Sequence, residues 1–181
     1  MSAGKLLRGQ EHANGFLPSQ VALDRLPLVI DANPEPTSDL LSQCIRDVLR
    51  LVREDLAMDM VLVTMPIGED VVISHSDAAP EKTSVEGMLH PRERSICERV
   101  LDGRLPAIIP DMAALKRTHD VPATPIVPAA FMAVPVVLSS GRRYGVLCCL
   151  RSTPMLELGE CHHRRLKMSA QHIARLVDEA G

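Results

Sequence analysis

Four apolar runs, arranged as two pairs with a short turn inside each pair, constrain the fold of this chain most strongly. In the first pair, "MDMVLVTMP" (Met58 to Pro66) and "VVISHS" (Val71 to Ser76) flank the turn "GED". In the second pair, "FMAVPVVL" (Phe131 to Leu138) and "YGVLCCLR" (Tyr144 to Arg151) flank "SSGRR". Such runs around Gly-containing turns predict β-hairpins, whose strands pair antiparallel. Pro135 inside the third run predicts a bulge or an unpaired position.

Helical patterns surround these hairpins. Thr37 or Ser38 is the expected N-cap of a first helix, and residues 156–180 have the apolar spacing of a long closing helix. A middle helix is predicted between Pro91 and Gly103, since proline favours a helix start and glycine a helix end. Helices at both ends of an antiparallel sheet must pack together on one of its faces, so the sequence predicts an α+β fold.

The segment between the middle helix and the second hairpin is shorter and more irregular. "LPAIIPD" (Leu105 to Asp111) predicts a short strand, followed by one or two helical turns. Asp111 is expected to cap those turns, because an aspartate side chain accepts backbone N–H bonds, and a ligand contact is the alternative. Residues 120–130 contain three prolines and are predicted to be irregular.

Composition excludes several functions. Phe16, Phe131 and Tyr144 are the only aromatic residues, and the formal net charge is −3. Single-stranded nucleic acid needs stacking platforms and positive charge, so we expect no nucleic-acid partner. No apolar run approaches the roughly 18 residues of a membrane span, and the N-terminus lacks the apolar segment of a secretory signal. We expect no membrane partner and, from five cysteines without framework spacing, reduced thiols in the cytoplasm.

The domain boundary follows from a change in composition. Residues 1–37 mix Gly, Asn, Pro and charged residues, and we expect them to form a partly flexible N-terminal tail. Residues 38–181 are long enough for one domain with an aliphatic core. The chain is expected to be either a stand-alone module or a fragment of a larger protein.

The adjacent cysteines Cys148 and Cys149 do not form a redox pair with each other. Alternate residues of a strand face opposite sides, so the two sulfur atoms point apart. Tyr144, Val146 and Cys148 are expected on one face of the sheet and Cys149 on the other. Both cysteines are therefore interpreted as small buried residues, and which of them faces which layer is left open.

No catalytic or metal-binding motif stands out. A Ser-His-Asp set, paired catalytic carboxylates and a Gly-rich phosphate loop are not visible. Cys161, His162 and His163 are consecutive on a predicted helix and point about 100° apart, so they do not converge on one metal ion. Metal ligands and catalytic residues are therefore not assigned, and whether the chain is an enzyme is left open.

Two longer segments resemble a known family. They are "SICERVLDGRLPAIIPDMAA" (Ser95 to Ala114) and "FMAVPVVLSSGRRYGVLCCL" (Phe131 to Leu150), and the closing "RRLKMSAQHIARLVDEA" follows them in the same order. In this order they resemble a GAF domain over roughly residues 38–180. The resemblance implies a central antiparallel sheet of five or six strands with the terminal helices on one face. It also implies that the middle helices and loops close over a small-molecule pocket on the other face.

The resemblance further implies a sensory or regulatory function in bacterial signal transduction, by ligand binding or by dimerisation. Family members bind cyclic nucleotides, bilins, haem, amino acids or nothing, and the cofactor of this chain is left unknown. The only Cys-His pair, Cys161 and His162, falls outside the implied pocket, unlike a bilin attachment site. The implied pocket lining comes from the middle helix and the strands after it: Cys97, Ile109, Asp111, Phe131, Tyr144 and Cys149. The implied homodimer would form through Leu41, Ile45, Val48, Ile173 and Val177.

The alternative function is thiol chemistry. The free methionine sulfoxide reductases are GAF enzymes that use pocket cysteines, and only Cys97 lies in the matching region here. A thiol-based enzyme or redox sensor would need Cys97 together with Cys148 or Cys149.

Overall fold

A six-stranded antiparallel sheet forms the centre of residues 36–181, the part of the chain that the computed structural model describes. The elements are α1 (Pro36–Asp55), β1 (Met60–Ile67), β2 (Asp70–Ala78), β3 (Leu89–Pro91), a 3-10 turn (Arg92–Arg94), α2 (Ile96–Leu101), β4 (Ile108–Ile109), α3 (Met112–Leu115), β5 (Ala130–Val137), β6 (Arg143–Arg151) and α4 (Glu160–Ala180). The predicted tail lies outside the described residues, apart from the two with which α1 begins. No helix of the described part is long and apolar enough to cross a bilayer.

The strand order is β3-β2-β1-β6-β5-β4, with every neighbouring pair antiparallel. Both predicted hairpins are present, because β1 pairs with β2 and β5 pairs with β6. The pairing of β1 with β6 joins the two hairpins into one sheet. The predicted α+β fold with a five- to six-stranded antiparallel sheet is therefore confirmed.

The sheet separates two apolar cores. The helix-side core lies under α1 and α4 and includes Ile45, Leu49, Leu166 and Ile173. The pocket-side core lies on the opposite face, under α2 and α3. The terminal helices thus share one face, as predicted, and burial of their apolar stripes against the sheet is what fixes them there.

This arrangement corrects part of the predicted dimer surface. Ile45 and Ile173 have 0% exposure, because both side chains pack between their helices and the sheet. They are therefore not available to a partner. Leu41, Val48 and Val177 are half-buried at the border of the same core, so only these three of the predicted residues reach the surface.

A β-bulge in β6 changes the predicted side of Tyr144. Val136 pairs with Gly145 and Val137 with Arg143, so Tyr144 is an extra residue without a partner in β5. One extra residue reverses the alternation of side chains along a strand. Tyr144 consequently packs against the helix-side core, and the prediction that it shares a face with Cys148 is wrong.

Pro135 lies next to this bulge without interrupting the hairpin, since it pairs with Val146 of β6. The N–H of Ala133 points to the opposite edge of β5, where it bonds to the carbonyl of Ala107. The nitrogen of Pro135, two residues further, points to that same edge. In the described part of the chain, β4 pairs with β5 only as far as Met132. Pro135, which has no N–H, is therefore unpaired on this edge of β5, as predicted.

The middle helix is shorter than predicted. Pro91 does not begin it, because Leu89–Pro91 pairs with β2 as the edge strand β3. Ser95 caps α2 instead, accepting a hydrogen bond from the backbone N–H of Glu98. Gly103 follows the helix with a φ of 78°, a conformation that glycine adopts without strain. The first part of the predicted helix is therefore a strand and a 3-10 turn.

Candidate functional site

The structure divides the six predicted pocket residues between three environments. Cys97, Ile109 and Phe131 lie together in the pocket-side core. Asp111 is half-buried and caps α3, where its Oδ1 accepts the N–H of Ala114 at 3.0 Å. The capping interpretation of Asp111 is confirmed, and no contact of its carboxylate with the cavities described below is present.

Tyr144 and Cys149 lie on the other face of the sheet. Cys149 pairs with Val61 and Met132, and all three side chains belong to the helix-side core. Burial raises the pKa of the Cys149 thiol well above its usual range. These two residues are therefore separated by the sheet from any ligand bound on the pocket side.

A small cavity, here called the central cavity, lies inside the pocket-side core. Its volume is about 50 Å³. Its walls come from β1, β2, β3, α2, β5, β6 and the segment before β5, and most of the lining is apolar. The lining residues are Leu62, Thr64, Ile73, His90, Ser95, Ile96, Cys97, Thr124, Ile126, Phe131 and Leu150.

Two further cavities of about 120 Å³ each adjoin the central cavity. The first side cavity shares Ile126 and Leu150 with it, and the second shares Ile96 and Thr124. Residues 121–129, here called the covering loop, contribute to the lining of all three. The residues shared between the cavities come partly from this loop, as Ile126 and Thr124, and partly from β6 and α2, as Leu150 and Ile96.

The covering loop has few backbone restraints. Within residues 36–181, backbone hydrogen bonds join it to the rest of the domain only at Ala129, which donates to Arg151 and accepts from Met112. Its three prolines cannot donate such bonds. A segment with few backbone hydrogen bonds opens at low free-energy cost, so this loop is the part of the cavity wall best suited to move.

Two polar atoms at the central cavity have no partner. The Oγ1 of Thr64 and the Nδ1 of His90 are buried and make no hydrogen bond within residues 36–181. Burial lowers the pKa of His90, with Asp70 opposing the shift, so the neutral imidazole is favoured. Buried polar groups are nearly always paired, and an orphaned one calls for an explanation. A ligand that supplies both missing hydrogen bonds is such an explanation.

Neither residue was identified from the sequence. Thr64 stands in the apolar run of β1, on the same alternate positions as Met60 and Leu62, both in the pocket-side core. A polar residue at an inward position of a buried strand is the signal that could have identified it. His90 gave no comparable signal, because its position depends on the pairing of β3 with β2.

A pair of thiols lies beside the central cavity. The Sγ of Cys97 in α2 is 2.7 Å from the Sγ of Cys148 in β6. Both side chains are buried, with 6% exposure for Cys97 and 0% for Cys148. Burial, followed by the contact with Cys97, raises the pKa of the Cys148 thiol. Of the two partners considered from the sequence for Cys97, the structure selects Cys148, because Cys149 faces the other core.

A buried carboxylate holds α2 on the sheet. The Oε2 of Glu98 accepts hydrogen bonds from Nε of Arg92 at 2.8 Å and from Nη2 of Arg143 at 3.3 Å. Charge-assisted bonds of this kind are stronger than neutral ones. Arg143 belongs to β6 and Arg92 to the 3-10 turn. The two ion pairs of Glu98 therefore connect α2 to the strand β6 and to the preceding turn.

Fold and site together define a class of α+β domain in which a sheet, its middle helices and a loop enclose small cavities. The chain belongs to the GAF domain family, whose sequence pattern matches residues 40–177. The predicted family is thus confirmed over most of the described residues. No curated protein matches the sequence.

Several solved GAF structures share the fold at low sequence identity. The cyanobacteriochrome receptor PixJ superposes with a TM-score of 0.60 at 15% identity, over 80% of this chain and 99% of that chain. The GAF domain of an Acinetobacter phosphoenolpyruvate-protein phosphotransferase gives 0.61 at 13% identity, over 77% and 83%. The GAF-B domain of DevS from Mycobacterium smegmatis gives 0.59 at 16% identity, over 77% and 94%. At these identities the likeness concerns the fold alone.

Proposed function

We propose that this protein is a sensory or regulatory GAF domain that binds a small neutral molecule in the central cavity. The observation that carries the proposal is the pair of unsatisfied polar atoms, Oγ1 of Thr64 and Nδ1 of His90, at one mostly apolar cavity. Ligand sites commonly have this character, an apolar lining with a few convergent polar groups. A bacterial signalling role remains part of the same proposal.

The lining restricts the chemistry of the ligand. Among residues 36–181, no Lys, Arg, Asp or Glu side chain lines the central cavity, so a charged ligand would be desolvated without a partner there. The ligand should therefore be neutral and apolar, with one or two hydrogen-bonding groups for Thr64 and His90. A drug-sized or larger ligand needs roughly 300–1,000 Å³. It would enter only if the covering loop moved and joined the central cavity to its neighbours.

Native mass spectrometry of freshly purified protein is the first test, because a tightly bound ligand can co-purify. The second test uses phenol and 2-pyrrolidinone as probes, with amide chemical shifts as the readout. Binding should perturb the signals of Thr64, His90 and the covering loop. It should weaken in Thr64→Val and persist in Thr83→Val, whose threonine is exposed. Shifts confined to other surfaces would contradict the proposal.

We also propose that a second copy of the chain covers the outer surface of α1 and α4. Leu40, Leu51 and Met168 are exposed large apolar residues on these helices, at 66%, 62% and 63%. Leu40 of α1 and Leu176 of α4 line one shallow groove between the two helices. Exposed apolar side chains repeated along a helix pair indicate an interaction surface. The half-buried Leu41, Val48 and Val177 would border it, whereas Ile45 and Ile173 would not take part.

Light scattering tests this surface. The protein should have the mass of a dimer, and Leu51→Glu should convert it to the mass of one chain. Leu156→Glu is the matched control, because Leu156 is also an exposed leucine, at 78%, and lies before α4. A single-chain mass for the unmodified protein would rule out this dimer, and equal effects of both substitutions would rule out this surface.

The thiol-based enzyme is less well supported by the geometry. Turnover of a substrate needs an accessible thiolate. The Cys148 thiol is fully buried and its pKa is raised, chiefly by that burial, and Cys97 has only 6% exposure. These properties favour a thiol pair that reacts slowly and in a single event. They do not favour a catalytic site with repeated turnover.

A further inference from the structure

We propose that Cys97 and Cys148 form a reversible disulfide bond, so that the wall of the central cavity contains an oxidation-sensitive modification site. The proposal goes beyond ligand binding and does not depend on it. It rests on the short distance between the two sulfur atoms and on their different exposure. It also rests on the other cysteines of the described chain, none of which has a second sulfur atom in contact.

The two sulfur atoms are already close to bonding distance. Their separation is 2.7 Å, so reaching the usual length of about 2.05 Å requires a shift of only about 0.6 Å. Cys148 lies in β6 between Leu62 of β1 and Ala133 of β5, where the sheet is paired on both sides. The movement that closes this gap is therefore expected mainly in α2, the six-residue helix that carries Cys97.

The other three cysteines lie elsewhere in the domain. Cys149 is in the helix-side core, behind the sheet. Cys44 is half-buried on α1, and Cys161 is exposed in the first turn of α4. Since all five cysteines fall within the described residues, Cys97 and Cys148 are the one pair there with sulfur atoms in contact.

The exposure of the two thiols sets the order of the reaction. Cys97 lines the central cavity, and Cys148 does not. A cavity of about 50 Å³ exceeds the roughly 10–15 Å³ that one water molecule requires, so hydrogen peroxide fits beside Cys97. The buried Cys148 is then reached only through Cys97.

The oxidation needs one hydroperoxide and consumes both thiols. The Cys97 thiolate attacks one peroxide oxygen, the O–O bond breaks and the other oxygen leaves as water after protonation, which gives a sulfenic acid. The Cys148 sulfur attacks the Cys97 sulfur, the S–O bond breaks and a second water leaves. The balance is two thiols and one hydrogen peroxide to one disulfide and two waters. A small thiol can reverse the bond by attack at the more exposed Cys97 sulfur.

The bond would have a defined structural consequence. It would tie α2 to β6, and α2 carries Ile96, which forms the wall between the central and second side cavities. Oxidation would thus fix this wall at one distance from the sheet. The competing interpretation is that both cysteines are only small apolar residues in contact, which predicts no bond under oxidising conditions.

The experiment uses the full chain, reduced and then treated with hydrogen peroxide. Remaining thiols are labelled with N-ethylmaleimide after denaturation, and the labelled protein is digested and analysed by mass spectrometry. We expect the labelled thiols to fall from five to three, together with a linked peptide pair containing Cys97 and Cys148. Dithiothreitol should restore all labels. Five labels after treatment, or links that involve only Cys44 and Cys161, would overturn the proposal.

Two variants form a matched pair. Cys148→Ala should lose the linked peptides, whereas Cys149→Ala should keep them, although both replaced thiols have 0% exposure. Equal linking of Cys97 in both variants would overturn the assignment. If Cys148→Ala does not fold, Cys97→Ala takes its place, and peptide mapping of the unmodified chain decides the question without any variant. A Cys44→Ser, Cys161→Ser background removes the more exposed thiols and should leave the bond unchanged.

Discussion

Thr64→Val should make the unliganded protein more stable and at the same time weaken ligand binding. Valine has the shape of threonine, but a methyl group replaces the hydroxyl. In this protein that hydroxyl is buried and has no hydrogen-bond partner within residues 36–181. The folded state therefore carries the cost of a desolvated hydroxyl, and the substitution removes that cost.

The magnitude follows from the cost of an unsatisfied buried polar group, about 1–3 kcal/mol. Taking the lower limit, Thr64→Val should raise the free energy of unfolding by about 1 kcal/mol. For a domain of this size that gain corresponds to a rise of roughly 2–4 °C in the melting temperature. The variant should also lose one hydrogen bond to a ligand, about 0.5–1.5 kcal/mol, or up to about tenfold in affinity.

Urea unfolding followed by circular dichroism measures the first effect, and titration with phenol measures the second. Thr64→Ser is the matched control, since it keeps the hydroxyl and removes a methyl group, and it should lower stability. If Thr64→Val lowers the free energy of unfolding by 1 kcal/mol or more (roughly one net hydrogen bond), the hydroxyl has a partner in solution. The reasoning from an unsatisfied atom would then be refuted.

Three further predictions concern packing, pH and oxidation. Gly145→Ala should strongly destabilise the protein in urea unfolding, because the added Cβ would overlap the backbone oxygen of Thr64 in β1; an unchanged midpoint would contradict this contact. Burial lowers the pKa of His75 and His90 below 6.5, so the unfolded chain takes up protons that the folded one does not. Stability should therefore fall as the pH drops through about 6.5, less steeply in His75→Gln. Oxidation of Cys97 and Cys148 should raise the unfolding free energy by about 2–4 kcal/mol, and an unchanged melting temperature would argue against the bond.

Much of the architecture was predictable because it depends on local patterns. The two hairpins follow from apolar runs around short turns, and the cap at Asp111 follows from one side chain and the N–H three residues later. The start of the middle helix was not predictable in the same way. Pro91 suits a helix start locally, but hydrogen bonding to β2 holds it in an extended conformation.

The candidate site was predictable only in part. Cys97, Ile109 and Phe131 share the pocket-side core, as expected from the family resemblance. Tyr144 and Cys149 were predicted to lie with them, but both lie on the other face. The β-bulge reverses the side of Tyr144, and the alternation of side chains along β6 sets that of Cys149. Whether any of these residues contacts a ligand stays a prediction.

The fold class and the burial of Cys148 and Cys149 on opposite faces could be predicted from the sequence, and the family from its resemblance to GAF domains. The fold class and the alternation of the two cysteines depend on periodicity and turn chemistry, which are local properties of the sequence. The contact of Cys148 with Cys97, and the position of Thr64 and His90 at one cavity, became apparent from the three-dimensional structure alone. Such contacts join residues far apart in the chain, because the packing of α2 on the sheet and the pairing of β3 with β2 bring them together. That packing also decided which faces of α1 and α4 are buried.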